Sequence, residues 1–440
     1  MEVKIKTERK KLVITGGNKL SGDVKISGAK NATLPLMVAS ILSAEKLVLT
    51  NIPHVADIAT MANLLIDLGI EISFDGNHKE FGNQGRAMIL DAGNINNPVA
   101  TYDLVRKMRA SIFILGPLLA RVGKAKVSLP GGCAIGTRPV DLHLKAMEKL
   151  GAEIDLSGGY VEANVKKSLN NRLRGDHIHF EKISVGATEN AMMACSLAKG
   201  ESLITNAACE PEIIDLAKCL NAMGAKISGA GTSQIQIQGV DQLHGATHRI
   251  IADRIEAGTY AVAAGITGGC IRLHQLEDWV MTGFKEDLQK AGLIFNQISP
   301  DVVEVSRNQE FIESVNISTH PFPGFATDMQ AQFMALMTVA NSVSTIEENI
   351  FENRFMHVLE LARMGANIES HGKIAVIKGV KKLTGAEVMA TDLRASVSLV
   401  LAGLVADGQT TINRLYHLER GYERLAEKLI NCGADIKMIY

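Results

Sequence analysis

The sequence predicts an α/β protein of two domains, built from six copies of one βαβαββ unit, three to a domain. Three observations carry this reading. A short phrase around a glycine recurs along the whole chain, an apolar helix precedes each copy, and short β-rich runs with turn signals join them.

The phrase reads LGIEI at 68–72, LGAEI at 150–154, MGAKI at 223–227, AGLIF at 291–295, MGANI at 364–368 and CGADI at 432–436. Its glycines, Gly69, Gly151, Gly224, Gly292, Gly365 and Gly433, are 68 to 82 residues apart. So regular a period over the full length marks one repeated supersecondary unit. Each copy follows an amphipathic run such as MANLLIDLG or LHLKAMEKLG. The glycine is predicted to end that helix in the left-handed conformation, and the next residues alternate as a strand.

The other helix of each unit, upstream of the phrase, has a different composition. NATLPLMVASILSAE, RASIFILGPLLARVG, TENAMMACSLAKG, AGTYAVAAGITGG, DMQAQFMALMTVANS and LRASVSLVLAGLVADG are apolar nearly all round, so these helices are predicted to be buried. Their Ala, Gly and Ser content allows close helix–helix approach. KLVLTNIP, ESLITNAA and QTTINRLY read as strands.

A chain of 440 residues exceeds one ordinary core. Three units per domain put the first domain at 30–251. The second takes 252–440 together with 1–29, because the strand in KLVITGG completes a unit that the C-terminal end is too short to complete. A cleft between two domains is a common place for a substrate site.

Composition removes several function classes. The net charge of −1 offers no global basic field for nucleic acid. Aromatic residues are 4% with a single Trp, which argues against base-stacking platforms. The six cysteines, Cys133, Cys195, Cys209, Cys219, Cys270 and Cys432, show no zinc-ligand spacing. The start MEVKIKTERKK lacks the apolar stretch of a secretory signal, and no run of 18 apolar residues occurs. The expectation is a cytoplasmic enzyme with reduced thiols.

The buried helices open on polar groups that a purely structural helix would not choose. They are Lys30 and Asn31; Arg106, Lys107 and Arg109; Ser184 to Asn190; Asp253, Arg254 and Glu256; Asp328 and Gln330; Asp392 and Arg394. Helix N-termini present free N–H groups and favour anions, and Lys and Arg strengthen that preference. Any one of these could equally be a surface ion pair or a cap; Asp328 and Asp392 each follow Thr and could be N-caps. Arg354 in IFENRFMH and Arg420 in HLERGYER add two guanidinium groups, suited to carboxylate or phosphate.

The stretch SLPGGCAIGTRPVDLH places Cys133 after two glycines and before Arg138, where a structural thiol is not expected. LPGGCAIGTRPVDLH resembles the active loop of the UDP-N-acetylglucosamine 1-carboxyvinyltransferases (UDP-N-acetylglucosamine enolpyruvyl transferases). SGAKNATLP, YDLVRKMRASI, ISVGAT, EPEIIDLA, ADRIEAGT, FATDMQAQF, FENRFMHV, MATDLRAS and HLERGYERL are also similar to that family, in order, from about residue 12 to the C-terminus.

The resemblance implies two domains, each an inside-out α/β barrel of three βαβαββ units. It implies transfer of the enolpyruvyl group of phosphoenolpyruvate to the 3-hydroxyl of UDP-N-acetylglucosamine, with release of phosphate, at the committed entry to peptidoglycan precursors. By the same resemblance Cys133 is the proton donor to phosphoenolpyruvate C3. Its glycine-flanked place near Arg138 would favour a depressed thiol pKa. Lys30, Arg138 and Arg420 match the residues that hold the phosphate, and Arg354 and Arg394 match positions near the carboxylate. Asp328 matches the carboxylate at the sugar 3-hydroxyl and is the candidate general base. Asn31 and Arg109 match sugar-nucleotide contacts. Arg138, Pro139, Val140, Asp141, Leu142 and His143 match the uridine-lining segment, and Lys182, Ile183, Ser184, Val185 and Gly186 match the diphosphate and uracil segment. Ile350 matches an apolar sugar contact.

The chemistry is consistent with that assignment. An enol ether carbon becomes electrophilic when its neighbour is protonated, so the site needs an acid, a base at the hydroxyl and cations for the departing phosphate. A thiol, a carboxylate and a Lys/Arg cluster fill those roles, the cations contributing on the order of several kcal/mol. The family likeness implies no metal and no cofactor, alkylation of Cys133 by fosfomycin, a monomer, and neither nucleic acid nor membrane as partner. It predicts a loop over Leu129–Pro139 that orders over substrate. Cys209, in NAACEPEI, stands where the family pattern leads one to expect Arg.

Three rivals are weaker. The sister enzyme acting on shikimate 3-phosphate lacks this cysteine loop. A non-catalytic UDP-sugar sensor would not keep Cys133, Lys30, Arg420 and Asp328 together. An RNA-terminal-phosphate cyclase relative would need a basic RNA face.

Overall fold

The computed structural model describes residues 10–75, 86–106, 108–129, 140–307 and 309–439. These fall into two compact units. One joins the described residues up to Ser27 to those from Ala252 onward, and the other is formed by the described residues between Gly28 and Ile251.

The described residues form six four-stranded sheets of one design, with a parallel pair at one edge and two antiparallel pairs beyond it. The simplest reads straight along the chain. His177–His179 is followed by the helix Val185–Leu197, Glu201–Thr205, the helix Pro211–Ala222, Lys226–Ser228 and Gln234–Gln238. His177–His179 lies parallel to Glu201–Thr205, and Gln234–Gln238 pairs antiparallel with both Glu201–Thr205 and Lys226–Ser228. Gln234–Gln238 alternates exposed and buried, so each sheet gives one face to a core and one to water.

Three of the sheets take a strand from far along the chain; in one, Ser21–Lys25 lies parallel to Cys270–His274. Ala246–Arg249 lies parallel to Leu47–Thr50 and closes the sheet at the start of its unit. Lys11–Thr15 lies between Gln409–Asn413 and Asp435–Ile439, antiparallel to both. Leu12 and Ile14 point from that strand into the core.

The first helix of each repeat is internal. Gln330–Met337 and Ala395–Gly403 are buried at every residue, and both pack on Arg254–Thr267. In the other unit Lys30–Ala39, Leu115–Val122 and Val185–Leu197 hold the corresponding places. Small residues make this possible. A Cβ on Gly116 would lie 2.6 Å from the backbone oxygen of Asn190, so only glycine lets those two helices touch. The expected helix RASIFILGPLLARVG differs at its start: Arg109–Ile114 is a 3₁₀ helix and the α-helix begins at Leu115.

The six repeat glycines all have positive φ, between 88° and 100°. Each ends an outer amphipathic helix, whose apolar stripe packs inward, and turns the chain into the next strand. No helix among the described residues is long and apolar enough to cross a membrane.

Candidate active site

In the unit containing the C-terminal half, three of the sequence-predicted residues come together. Asp328 stands in the short turn Thr327–Met329 that leads into Gln330–Met337. Its Oδ1 accepts from Arg354 Nη2 at 2.6 Å and its Oδ2 from Arg394 Nε at 3.3 Å. The arginines are 6% and 2% exposed. One carboxylate between two buried guanidinium groups leaves a net positive charge. Nη1 and Nη2 of Arg394 are buried with no hydrogen-bond partner among the described residues. Burial works against the Arg394 charge, but Tyr422, Asp328 and Asp253 more than offset it, and the guanidinium is held above its ordinary pKa. Buried, charged donors without acceptors are costly unless an anion meets them.

Supporting side chains fix this group. The Tyr422 ring lies 5.4 Å from the Arg394 guanidinium. The Tyr422 hydroxyl is 3.0 Å from Thr259 Oγ1, and Gln332 Nε2 donates to the Tyr422 oxygen at 3.2 Å and to the Asp328 carbonyl at 3.0 Å. Thr327 Oγ1 accepts from Arg354 Nη1 at 2.8 Å. The two aspartates after Thr behave differently. Asp392 accepts from the N–H groups of Arg394 and Ala395 and caps the turn into Ala395–Gly403. Asp328 instead faces the arginines. Ile350 is half-buried, and Arg420 closes the short helix Leu415–Arg420, partly exposed.

In the other unit, Lys30 opens its inner helix and is 8% exposed, its Nζ 3.3 Å from Asp57 Oδ2. Asn31 follows it, and Arg109 begins the 3₁₀ turn before Leu115. Val140 precedes the helix Asp141–Lys149, which carries Asp141, Leu142 and His143. His143 is buried, with Nδ1 3.1 Å from Asn190 Nδ2 and its ring 6.3 Å from that of Phe113. A Cβ on Gly186 would meet both Phe113 and His143. The segments around His143 and Ser184–Gly186 therefore meet. Ser184 caps Val185–Leu197 by accepting from the Ala187 N–H, while Lys182 and Ile183 are exposed just before it. Arg106 pairs with exposed Asp103, as a surface ion pair, and lies over the Tyr102 ring. Cys133, Arg138 and Pro139 lie outside the described residues.

The five described cysteines are free and all have raised pKa values, burial being the first cause. Cys195 is pushed up to about 12 and Cys432 to about 11; Cys209, Cys219 and Cys270 move the same way. A thiol in that state is a poor nucleophile at neutral pH. A surface groove of about 770 Å³ beside His177, Lys226 and Gln236 holds none of the candidate residues.

Sequence reasoning missed Asp57, Thr327, Glu348, Gln332 and Tyr422, and named Asn190 only as the end of a polar helix start. Two carried a signal. Asp57 is in phase with Met61, Leu64 and Leu65 on the buried face of Ala56–Asp67. Glu348 continues the inward phase of Ser344 and Ile346. A carboxylate on a buried phase marks a side chain held for its partners.

In structure the chain is similar to the enolpyruvyl transferase NikO from Streptomyces tendae, with a TM-score of 0.86 and 24% identity over 98% of this chain and 99% of that one. It is also similar to the EPSP synthase from Acinetobacter baumannii, with a TM-score of 0.74 and 19% identity over 98% and 100%. Its fold is that of the enolpyruvyl transferases, two inside-out α/β barrels of three repeats each. Residues 14–429 match the EPSP synthase (3-phosphoshikimate 1-carboxyvinyltransferase) family. The UDP-N-acetylglucosamine 1-carboxyvinyltransferase of Paramagnetospirillum magneticum is 56% identical over 426 residues, 97% of this chain and 98% of the relative. That of Rhodospirillum centenum is 56% identical over 430 residues, 98% and 99%. Within the EPSP synthase family, the chain belongs to the UDP-N-acetylglucosamine 1-carboxyvinyltransferases.

Proposed function

We propose that the protein transfers the enolpyruvyl group of phosphoenolpyruvate to the 3-hydroxyl of UDP-N-acetylglucosamine and releases phosphate, as the first committed step of peptidoglycan precursor synthesis. The observation that carries this is the pair of buried arginines sharing Asp328, with two Arg394 nitrogens left for an anion. Family membership supplies the substrates that such an anion site would serve.

The reaction is an addition followed by an elimination. Asp328 takes the proton of the 3-hydroxyl as its oxygen bonds to C2 of phosphoenolpyruvate, while Cys133 gives a proton to C3. The thiolate left on Cys133 then takes a proton from C3, the C–H pair restores the C2–C3 double bond, and the C2–O bond breaks with its pair leaving on phosphate. Arg354 and Arg394 take the carboxylate of phosphoenolpyruvate. Asp328 can act on a hydroxyl once that anion draws the guanidinium groups away from it. Lys30, Arg138 and Arg420 balance the phosphate charge, where preorganised cations are worth most. Asn31 and Arg109 hold the sugar nucleotide. Arg138 to His143 and Lys182 to Gly186 hold the uridine and diphosphate, and Ile350 backs the sugar. We place the enzyme in the cytoplasm as a monomer, without membrane or nucleic-acid partner. Cys133 is its fosfomycin target, since the five described thiols are held protonated.

The test is phosphate release from phosphoenolpyruvate with UDP-N-acetylglucosamine or shikimate 3-phosphate as acceptor, for wild type and Cys133→Ala. The expected result is release with the UDP-sugar alone, abolished by fosfomycin, with the adduct on Cys133. Release with shikimate 3-phosphate alone would overturn the substrate assignment.

A further inference from the structure

We infer that Glu348 is a positioning residue: through Thr327 it orients Arg354 against Asp328, and through its other oxygen it fixes the turn that carries Ile350. This rests on the reading of Asp328, Ile350 and Arg354 as substrate-facing.

Glu348 follows the strand Val343–Glu347 and is 2% exposed. A buried carboxylate must be well satisfied, and this one accepts four hydrogen bonds. Oε1 accepts from Thr319 Oγ1 at 3.0 Å and from the N–H groups of Ile350 at 2.9 Å and Phe351 at 3.1 Å. Oε2 accepts from Thr327 Oγ1 at 2.8 Å. Three of the four donors come from the segments that carry Asp328 and Ile350.

Thr327 gives the network a direction. A guanidinium can only donate, so the Thr327 oxygen must accept from Arg354 Nη1. The single hydroxyl proton of Thr327 then goes to Glu348 Oε2. The order Arg354 to Thr327 to Glu348 cannot be reversed. It holds one nitrogen of the Arg354 fork on Thr327 while the other meets Asp328 Oδ1 at 2.6 Å. Glu348 thus sets which way the Arg354 fork faces without needing to touch substrate.

A purely structural Glu348 would hold the 348–351 turn and nothing more. Thr327→Val separates the two roles, because it removes the arm to Arg354 and leaves the three bonds on Oε1. Thr327→Ser keeps the arm. Glu348→Gln keeps an oxygen for the Ile350 and Phe351 N–H groups but turns an NH₂ toward Thr327, opposing the hydroxyl proton.

The experiment measures kcat and KM for phosphate release, thermal midpoints, and crystal structures of the three variants. Misplacing a reacting group by about 1 Å can cost roughly 100-fold. Thr327→Val and Glu348→Gln should lower kcat by about 10- to 100-fold, with thermal midpoints close to wild type, and Thr327→Ser should recover most of it. In the Thr327→Val crystal the Arg354 fork should turn away from Asp328. Wild-type kcat in Thr327→Val, or an Arg354–Asp328 contact unchanged in its crystal, would overturn the inference. A wild-type enzyme inactive with the UDP-sugar would overturn the proposed function instead, and the crystals would still decide the role of Glu348.

Discussion

His357 shows how one residue can tie the site to the stability of its unit. It opens the helix His357–Arg363, three residues after Arg354, and is 1% exposed with both ring nitrogens lacking partners among the described residues. Burial pushes its pKa down to about 4. Arg354 adds to that shift, and Asp392 opposes it. The imidazole is therefore neutral in the fold at pH 6, where an unfolded histidine, near 6.5, is largely protonated. The folded pKa is the lower one, so the unfolded state binds the extra proton as pH falls. The contribution is fully present above about 6.5 and is lost as pH drops toward 4. By pH 5 the loss should be about 2 kcal/mol. Urea midpoints of wild type and His357→Gln at pH 7 and pH 5 check this. The acid loss should shrink in the variant, and an equal loss in both would assign it to other groups.

At the scale of elements, a tight constraint lies where Leu115–Val122 meets Val185–Leu197. Gly116 N–H donates to Asn190 Oδ1 at 2.8 Å, and Asn190 Nδ2 reaches both the Ile112 carbonyl and His143 Nδ1. A methyl group on residue 116 would force Asn190 aside. Gly116→Ala should cost about 1 to 3 kcal/mol in denaturant unfolding, the usual range for overpacking. It should also weaken UDP-sugar binding in a titration, since His143 loses its anchor. Full stability would show that the helices can part without cost. The repeat helices and their glycine turns were legible in the sequence because their causes are local. A glycine with positive φ follows its amphipathic run directly, and an apolar run has nowhere to go but inward. The partners were not legible. Lys30 meets Asp57, His143 meets Asn190 and Thr327 meets Glu348 across 21 to 47 residues, and no periodicity records such pairs. Even the helix RASIFILGPLLARVG hid a change of type at Leu115, where its close approach to Asn190 begins.

At the scale of the molecule, the two units differ in how their chains close. The sheets of the described residues between Gly28 and Ile251 take every strand from that stretch, down to Ala246–Arg249 beside Leu47–Thr50. The other unit depends on the N-terminal residues twice. Ser21–Lys25 forms the parallel edge beside Cys270–His274, and Lys11–Thr15 fills an inner position between Gln409–Asn413 and Asp435–Ile439. Without Lys11–Thr15 those two strands share no partner, two rows of backbone groups are unpaired, and the core loses Leu12 and Ile14. A fragment spanning 28–251 should therefore unfold cooperatively on its own. A fragment spanning 252–440 should not, and adding a peptide of residues 10–27 should restore its cooperative transition. Circular dichroism and urea unfolding of the fragments, with and without the peptide, decide the matter. A cooperative 252–440 fragment would mean that the core of inner helices holds without its central strand. A peptide that restores it would show that the distant strand completes the fold around Asp328, Arg354 and Arg394.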